Sequence, residues 1–421
     1  MKINKVRLIE FILLVIFKAL LEIAYIYFVY PLYAYRGFTF NLNVIKLIES
    51  YLFITFLFFI LPSGDNKISK IAIKILFLIM IVPALSFYAL ANRERLFVYF
   101  FIIGFCLTIM IIKNSPTIKI KKIKSLNLIM LSCLGIISIL VYVILIKLNG
   151  IPDLKAIYFS TIYEIRRELD LGPKIMGYLF KWQGNVINCF LIGLAWYKRK
   201  YFYLILPLGL QFLLYLICAH KKFLFSLFLI LFLIYATKKQ RLMRLTLISL
   251  IMVVLLSLAF FLTNISRKPA SMFIRRTLYV PALVSYNYYD FFSKNPKMYL
   301  SESKMGFGLV ENPYKDYNMN ITNIMGLTYL NNPNTHMNTG YMGNSYMNLG
   351  LVGMLTFSLI FGLILKIADS ISKKTNISIA IAAMAVPLVS LTNGALFSVM
   401  LTGGFLFSLI LVWLYTEKID K

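Results

Sequence analysis

The residues best suited to chemistry gather in one polar stretch, residues 263–350. It opens on Arg267-Lys268 and Arg275-Arg276 and runs through the aromatics Tyr286, Tyr288, Tyr289 and Phe292. It closes on a segment of amides, hydroxyls and glycines that holds His336, Asn338, Tyr341, Asn344 and Asn348. Arginine forks grip phosphate oxygens at two points. Amides, hydroxyls and rings suit the hydroxyls and faces of a sugar, so the combination fits a sugar carried on phosphate. His336 is a candidate base or hydrogen-bond donor there. Glu302, Glu311, Asp290 and Asp316 are alternative carboxylate bases, and spacing does not choose between them. Cys106, Cys133, Cys189 and Cys218 sit at no paired spacing, so neither a metal site nor a cofactor is implied.

Two further groups of cations stand apart from this stretch. Arg166 and Arg167 lie between Glu164 and Glu168, and His220-Lys221-Lys222 fills a tight turn between two apolar runs. Each has a plainer reading: helical pairing with the glutamates for the arginines, and interfacial anchoring for the turn. Arg275 and Arg276 open an amphipathic helix, residues 274–289, expected at the outer surface. A pyrophosphate clamp and snorkelling to lipid phosphates are both open to that pair.

The elements that must position these groups are membrane helices. The chain has 421 residues, 60% of them hydrophobic, and a mean hydropathy of +0.80. Apolar runs of about 18–22 residues separated by short basic turns imply an all-α polytopic membrane protein. Twelve spans are expected, at about 8–30, 45–62, 71–90, 95–113, 126–147, 174–197, 201–219, 222–237, 245–263, 346–366, 377–394 and 400–416. Basic loops at Lys67 and Lys70, at Lys119 to Lys124, at Lys198 to Lys200, at Lys238 and Lys239 and at Lys373 and Lys374 then fall on the cytoplasmic side, with both termini. That rule accounts for much of the +28 formal charge, which therefore does not call for nucleic acid. Residues 1–421 read as one membrane domain, with 264–345 as one large external loop. Within the spans, Lys18 and Glu22 stand one turn apart and satisfy each other. Lys181, Gln183, Asn185 and Asn188 suit either a cavity wall or helix–helix hydrogen bonding.

Several marks together resemble the bacterial O-antigen or oligosaccharide repeat-unit polymerases of the Wzy type. They are Tyr163-Glu-Ile-Arg166 ahead of a span containing Trp182, Ala219-His-Lys221, and Arg275-Arg276 before Pro281 and the run Tyr288-Tyr289-Asp290-Phe291-Phe292. Asn338-Thr-Gly340 through Gly350, Leu391-Thr-Asn393 and Thr402-Gly403-Gly404 complete the set. Arg166 with Gly177 fits the arginine–glycine spacing of some members, whereas Arg275 and Arg276 reach Tyr286 and Asn287 instead. The resemblance implies a GT-C-like architecture of about twelve helices in the bacterial inner membrane. It implies a metal-independent, inverting glycosyltransferase that joins undecaprenyl-pyrophosphate-linked repeat units at the outer face. Membrane lipids and a chain-length regulator are the implied partners, with no nucleic acid. His336, Arg275 and Arg276 become the catalytic candidates. Arg166, Arg167, His220, Lys221, Arg267, Tyr289, Asn338 and Tyr341 become candidates for binding glycan or pyrophosphate. An O-antigen ligase is the near alternative, and a lipid-linked oligosaccharide flippase the alternative from another class.

Overall fold

The computed structural model describes residues 5–116, 118, 120–121, 126–152, 154 and 162–416. Regular structure among them is helical throughout, with no strand. In chain order the elements begin with α1 (Lys5–Arg36), α2 (Val44–Ile60), α3 (Ile68–Leu90) and α4 (Arg95–Asn114). Next come α5 (Asn127–Asn149), the short α6 (Ile162–Glu168), α7 (176–197) and α8 (Tyr201–Cys218). They are followed by α9 (Lys221–Lys238), α10 (Leu242–Leu262), α11 (270–294) and α12 (Ile321–Leu330). The last are α13 (Tyr341–Ser372), α14 (Ile377–Ser390), α15 (Leu396–Leu401) and α16 (Phe405–Leu414).

Eight helical stretches are long and apolar enough to cross a membrane: α1, α3, α4, α5, α8, α10, α13 and the joined α15–α16. The chain is thus a polytopic helical membrane protein. The expected count of twelve reduces to eight on these criteria. α2 has 17 residues and α14 only 14, α9 carries Lys221, Lys222 and Lys238, and α7 is made too polar by Lys181, Gln183, Asn185 and Asn188. Of the basic residues expected in loops, Lys119, Lys122 and Lys124 lie outside the described residues.

Prolines shape several of these helices. Wide turns at Tyr25–Val29, Phe77–Ile81 and Ala270–Tyr279 each run directly into a segment whose first or second residues include a proline: Pro31, Pro83 and Pro281. Proline lacks an N–H and its ring crowds the carbonyl four residues back. Widening the turn relieves that clash without ending the helix.

Contacts sort the helix ends onto two faces. On one, Asp65 accepts from Leu242 N at 2.9 Å, Ser69 Oγ donates to Asp369 at 2.6 Å, and Asn127 Nδ2 donates to Thr416 O at 2.6 Å. The opposite end, called the loop face below, carries Asn41 and Asn43 against the end of α3, the Arg93–Asp290 pair at 3.1 Å, and residues 295–340. Inside the bundle Lys18 pairs with Glu22, whose other oxygen accepts from Tyr51 Oη at 2.8 Å.

The greatest departure from expectation lies in the stretch 264–345, which is not loop throughout. Its first part is α11, and residues 281–289 of that helix are all buried. It does not lie on the surface as an amphipathic helix. Three of its tyrosines donate to backbone carbonyls of neighbouring segments: Tyr279 to Leu21 at 2.8 Å, Tyr286 to Ala84 at 3.2 Å and Tyr288 to Met337 at 2.8 Å. A hydroxyl at the end of an apolar ring lets such a helix enter the core with its polar atoms satisfied. Only residues 295–340 form the cap. The chain re-enters through α13, whose helix breaks at Leu349 and at Gly350, where φ is +62°.

Candidate functional site

A cleft of about 440 Å³ lies beneath the cap. Its floor is the broken segment between α14 and α16. α14 rises about 21 Å over its 14 residues, short of the ~30 Å hydrocarbon core. The chain then turns through 391–394, makes the six-residue α15 and turns again at Thr402–Gly404. Irregular backbone at such depth is stable where it is packed in protein or lines a cavity. Here it does both. Trp182 Nε1 donates to Leu401 O at 3.0 Å and Asn185 Nδ2 to Gly403 O at 3.1 Å. Gly404, at φ +90°, turns the chain where a Cβ would fall 2.9 Å from Val186.

The walls come from α11, the cap and the first turns of α13. Met298 N donates to Met347 O at 3.0 Å and Leu300 N to Asn348 Oδ1 at 2.8 Å. These bonds hold residues 298–304 along the half-helix 341–348. Four amides line the cleft: Asn338, Asn344, Asn348 and Asn393. Ser398 and Thr402 add hydroxyls. Gly340 closes the corner: a Cβ there would meet Thr392 O at 2.5 Å, and Tyr341 N donates to Leu391 O at 3.1 Å.

Glu302 and Lys304 are the charged groups of the lining. Glu302 Oε1 accepts from Ile321 N at 3.0 Å, at the first turn of α12, and from Asn312 Nδ2 at 3.3 Å. Its other oxygen has no hydrogen-bond partner among the described residues. Burial beneath the cap raises its carboxyl above the ordinary range, while the Ile321 N–H and the Asn312 amide pull it down. Lys304 reaches the Tyr178 hydroxyl, with its ammonium 5.0 Å from that ring's centroid, and no carboxylate pairs with it among the described residues. Cleft geometry thus separates the four candidate carboxylates. Asp290 is paired with Arg93 and Glu311 with Lys315, and neither they nor Asp316 line the cleft.

The residues singled out from sequence fall into three places. Asn338 lines the cleft, and His336 is exposed beside it, its Nδ1 3.2 Å from the hydroxyl of Thr322, itself a lining residue. Tyr341 is fully buried against Phe361, and Tyr289 packs on Tyr346 and Phe97 with centroids 4.7 and 5.2 Å away. Arg275 lies elsewhere, against α1. It is 8% exposed, its guanidinium sits 4.1 Å over the Tyr33 ring, and it donates to Ser271 Oγ at 2.9 Å. Arg276 is exposed next to it, Arg36 is within electrostatic reach, and Arg267 is exposed in the preceding turn.

The third place is the turn between α8 and α9. Arg166 Nε donates to Ala219 O at 3.0 Å, and Arg167 is exposed on the same short helix. His220 is half-buried, with Lys221 next to it. Burial first, then the cations Arg166, Lys181 and Lys222, push the histidine down to about 4, so it is neutral at physiological pH. Lys222 donates to Ser390 Oγ at 2.8 Å, which joins this cluster to the last residue of α14, three before Asn393. The polar half of α7 resolves toward helix–helix bonding. Gln183 and Asn188 are fully buried and bonded to Ser138, Tyr142 and Gln211.

Lys304, Ser398 and Thr402 are among the lining groups that sequence reading passed over or gave no chemical role. Lys304 stands alone among ordinary loop residues, and nothing in its local pattern marks it. No family model, no curated protein and no solved structure matches this chain.

Proposed function

We propose that this protein is a metal-independent glycosyltransferase that polymerises undecaprenyl-pyrophosphate-linked oligosaccharide repeat units at the outer face of the bacterial inner membrane. The observation that carries the reading is the cleft itself. A carboxylate and an ammonium two residues apart, Glu302 and Lys304, face the same space as four amides. Amides and hydroxyls suit the many hydroxyls of a glycan. The reaction also needs a base for one hydroxyl and positive charge for one departing phosphate.

In the proposed reaction an acceptor hydroxyl attacks the donor's anomeric carbon. The new C–O bond forms as the bond to the pyrophosphate oxygen breaks, with inversion. The hydroxyl proton passes to Glu302, and Lys304 offsets the charge that develops on the leaving pyrophosphate. Removing one such preorganised donor typically costs about 2.7–4 kcal/mol of transition-state stabilisation. Arg275 and Arg276, with Arg36, offer a second cationic patch suited to the pyrophosphate of the other lipid-linked substrate.

The test is genetic and biochemical. Deleting the gene should leave single repeat units on the acceptor, because ligation continues while polymerisation stops. Glu302→Gln, inserted at the normal level, should give the same pattern. Complete loss of glycan would replace polymerase by ligase or flippase. The flippase reading draws on the broken helix beside the cleft, a feature that transporters also use.

A further inference from the structure

A second, largely apolar groove of about 470 Å³ adjoins the cleft on the outside of the bundle. It lies between the first turns of α7 and α16 and is lined by Ile175, Tyr178, Trp182, Leu406, Phe407 and Ile410. Lys304 and Leu401 line both spaces, so the two adjoin at those residues. Ile175, Leu406 and Ile410 are 64%, 40% and 43% exposed, which opens the groove sideways to the lipid. Its wall is closely packed: Trp182 and Phe407 stack with centroids 4.9 Å apart and planes 10° from parallel, and the Trp182 N–H is tied to Leu401 O.

We infer that this groove holds the first isoprenyl units of a polyprenyl pyrophosphate glycolipid, with its phosphate at Lys304 and its sugar in the cleft. The inference rests on the reading of the cleft as a glycan site. Charge and position select the occupant. An ammonium with no carboxylate partner among the described residues stands where polar lining gives way to apolar lining, which is the layout of an anionic lipid at its headgroup. The apolar lining of the groove comes from the first turns of α7 and from α16, and its volume suits a short length of one isoprenoid chain. The cleft, with its amides and its carboxylate, offers far more hydrogen-bonding groups than a phosphoglycerol headgroup could use.

The chain carries three tryptophans, Trp182, Trp196 and Trp413, so Trp196→Phe/Trp413→Phe leaves Trp182 as a reporter inside the groove. In phosphatidylcholine nanodiscs, geranylgeranyl pyrophosphate should change Trp182 fluorescence saturably. Leu406→Phe/Ile410→Phe, which fills the groove at two exposed positions, should weaken that binding tenfold or more. Inorganic pyrophosphate should still compete in proportion to its own affinity. Lys304→Gln should weaken binding of both pyrophosphates about tenfold, the loss of one charge-assisted hydrogen bond. Unchanged affinity in the filled variant would overturn the inference. So would equal competition from phosphatidylglycerol discs, since the groove would then be an ordinary lipid site. The polymer assay of Glu302→Gln separates the two readings. If that variant makes no polymer while the filled groove binds and polymerises normally, the groove falls and the cleft stands. If lipid binding follows the groove variants while Glu302→Gln makes full polymer, the base assignment falls instead.

Discussion

Gly340→Ala tests whether the corner between α13 and the 391–394 turn holds the cleft together. A Cβ at residue 340 would lie 2.5 Å from Thr392 O, 2.9 Å from Thr392 C and 3.0 Å from Leu391 O. All three are backbone atoms, so no side-chain rotation relieves the clash. The φ of −66° and ψ of 171° at Gly340 suit alanine, so the cost comes from contact alone. To restore an ordinary 3.4 Å contact the turn must retreat by about 0.9 Å, the shortfall from 2.5 Å. Overpacking of this kind costs about 1–3 kcal/mol. The retreat also stretches the Tyr341 N–H bond to Leu391 O, now 3.1 Å, whose loss costs ~0.5–1.5 kcal/mol. A destabilisation of about 1.5–4.5 kcal/mol follows, with Asn393 displaced from the cleft and polymer reduced out of proportion to protein level. The assay is denaturant unfolding of purified protein in detergent, followed by tryptophan fluorescence, alongside glycan polymer length in cells. Gly209→Ala serves as the control, because nothing lies within 4 Å of a Cβ at that position. If Gly340→Ala matches the wild type within about 0.5 kcal/mol and keeps full polymer, the packing account is wrong.

Three other outcomes follow from named contacts. A carboxylate base works only when ionised, so activity should fall as pH drops through the raised Glu302 pKa, above the usual carboxylate range. Asn312→Ala removes a contact that lowers that pKa and should move the acid limb further up; a limb that stays put or moves down would exclude Glu302 as the base. Lys18→Met strands the buried Glu22 carboxylate and should cost about 3–5 kcal/mol, whereas Lys18→Met/Glu22→Met should recover most of it; equal stability of the two variants would refute a compensated pair. A reporter active only outside the cytoplasm should be on when fused at Asn318 and off at Lys239, and the reverse pattern would remove the case for a lipid-linked donor.

Much of the scaffold was legible along the chain because a membrane helix is a local object. Its backbone bonds close within the segment, and an apolar run of span length commits it. Asn43 and Asn376, whose side chains accept from Lys46 N at 3.0 Å and Ser378 N at 2.9 Å, are likewise local signals. Lys18 and Glu22 could be paired from their spacing alone, as one turn of helix brings them together.

Tertiary structure decided where the polar groups go. In residues 264–345 polarity suggested exposure, yet the tyrosines of α11 find carbonyls at Leu21, Ala84 and Met337, far away in sequence, and that satisfaction lets the helix be buried. The cleft draws on Tyr288, Glu302, Asn344, Asn393 and Thr402, which no local pattern joins. Choosing Glu302 among four carboxylates required knowing that Arg93 engages Asp290 and Lys315 engages Glu311. Lys304 gains its meaning only from Tyr178, 126 residues earlier in the chain, and from the boundary of polar and apolar surface where the fold brings them together. Long-range packing sets electrostatic surroundings, and surroundings rather than residue type separate a solvated loop charge from a group poised for chemistry.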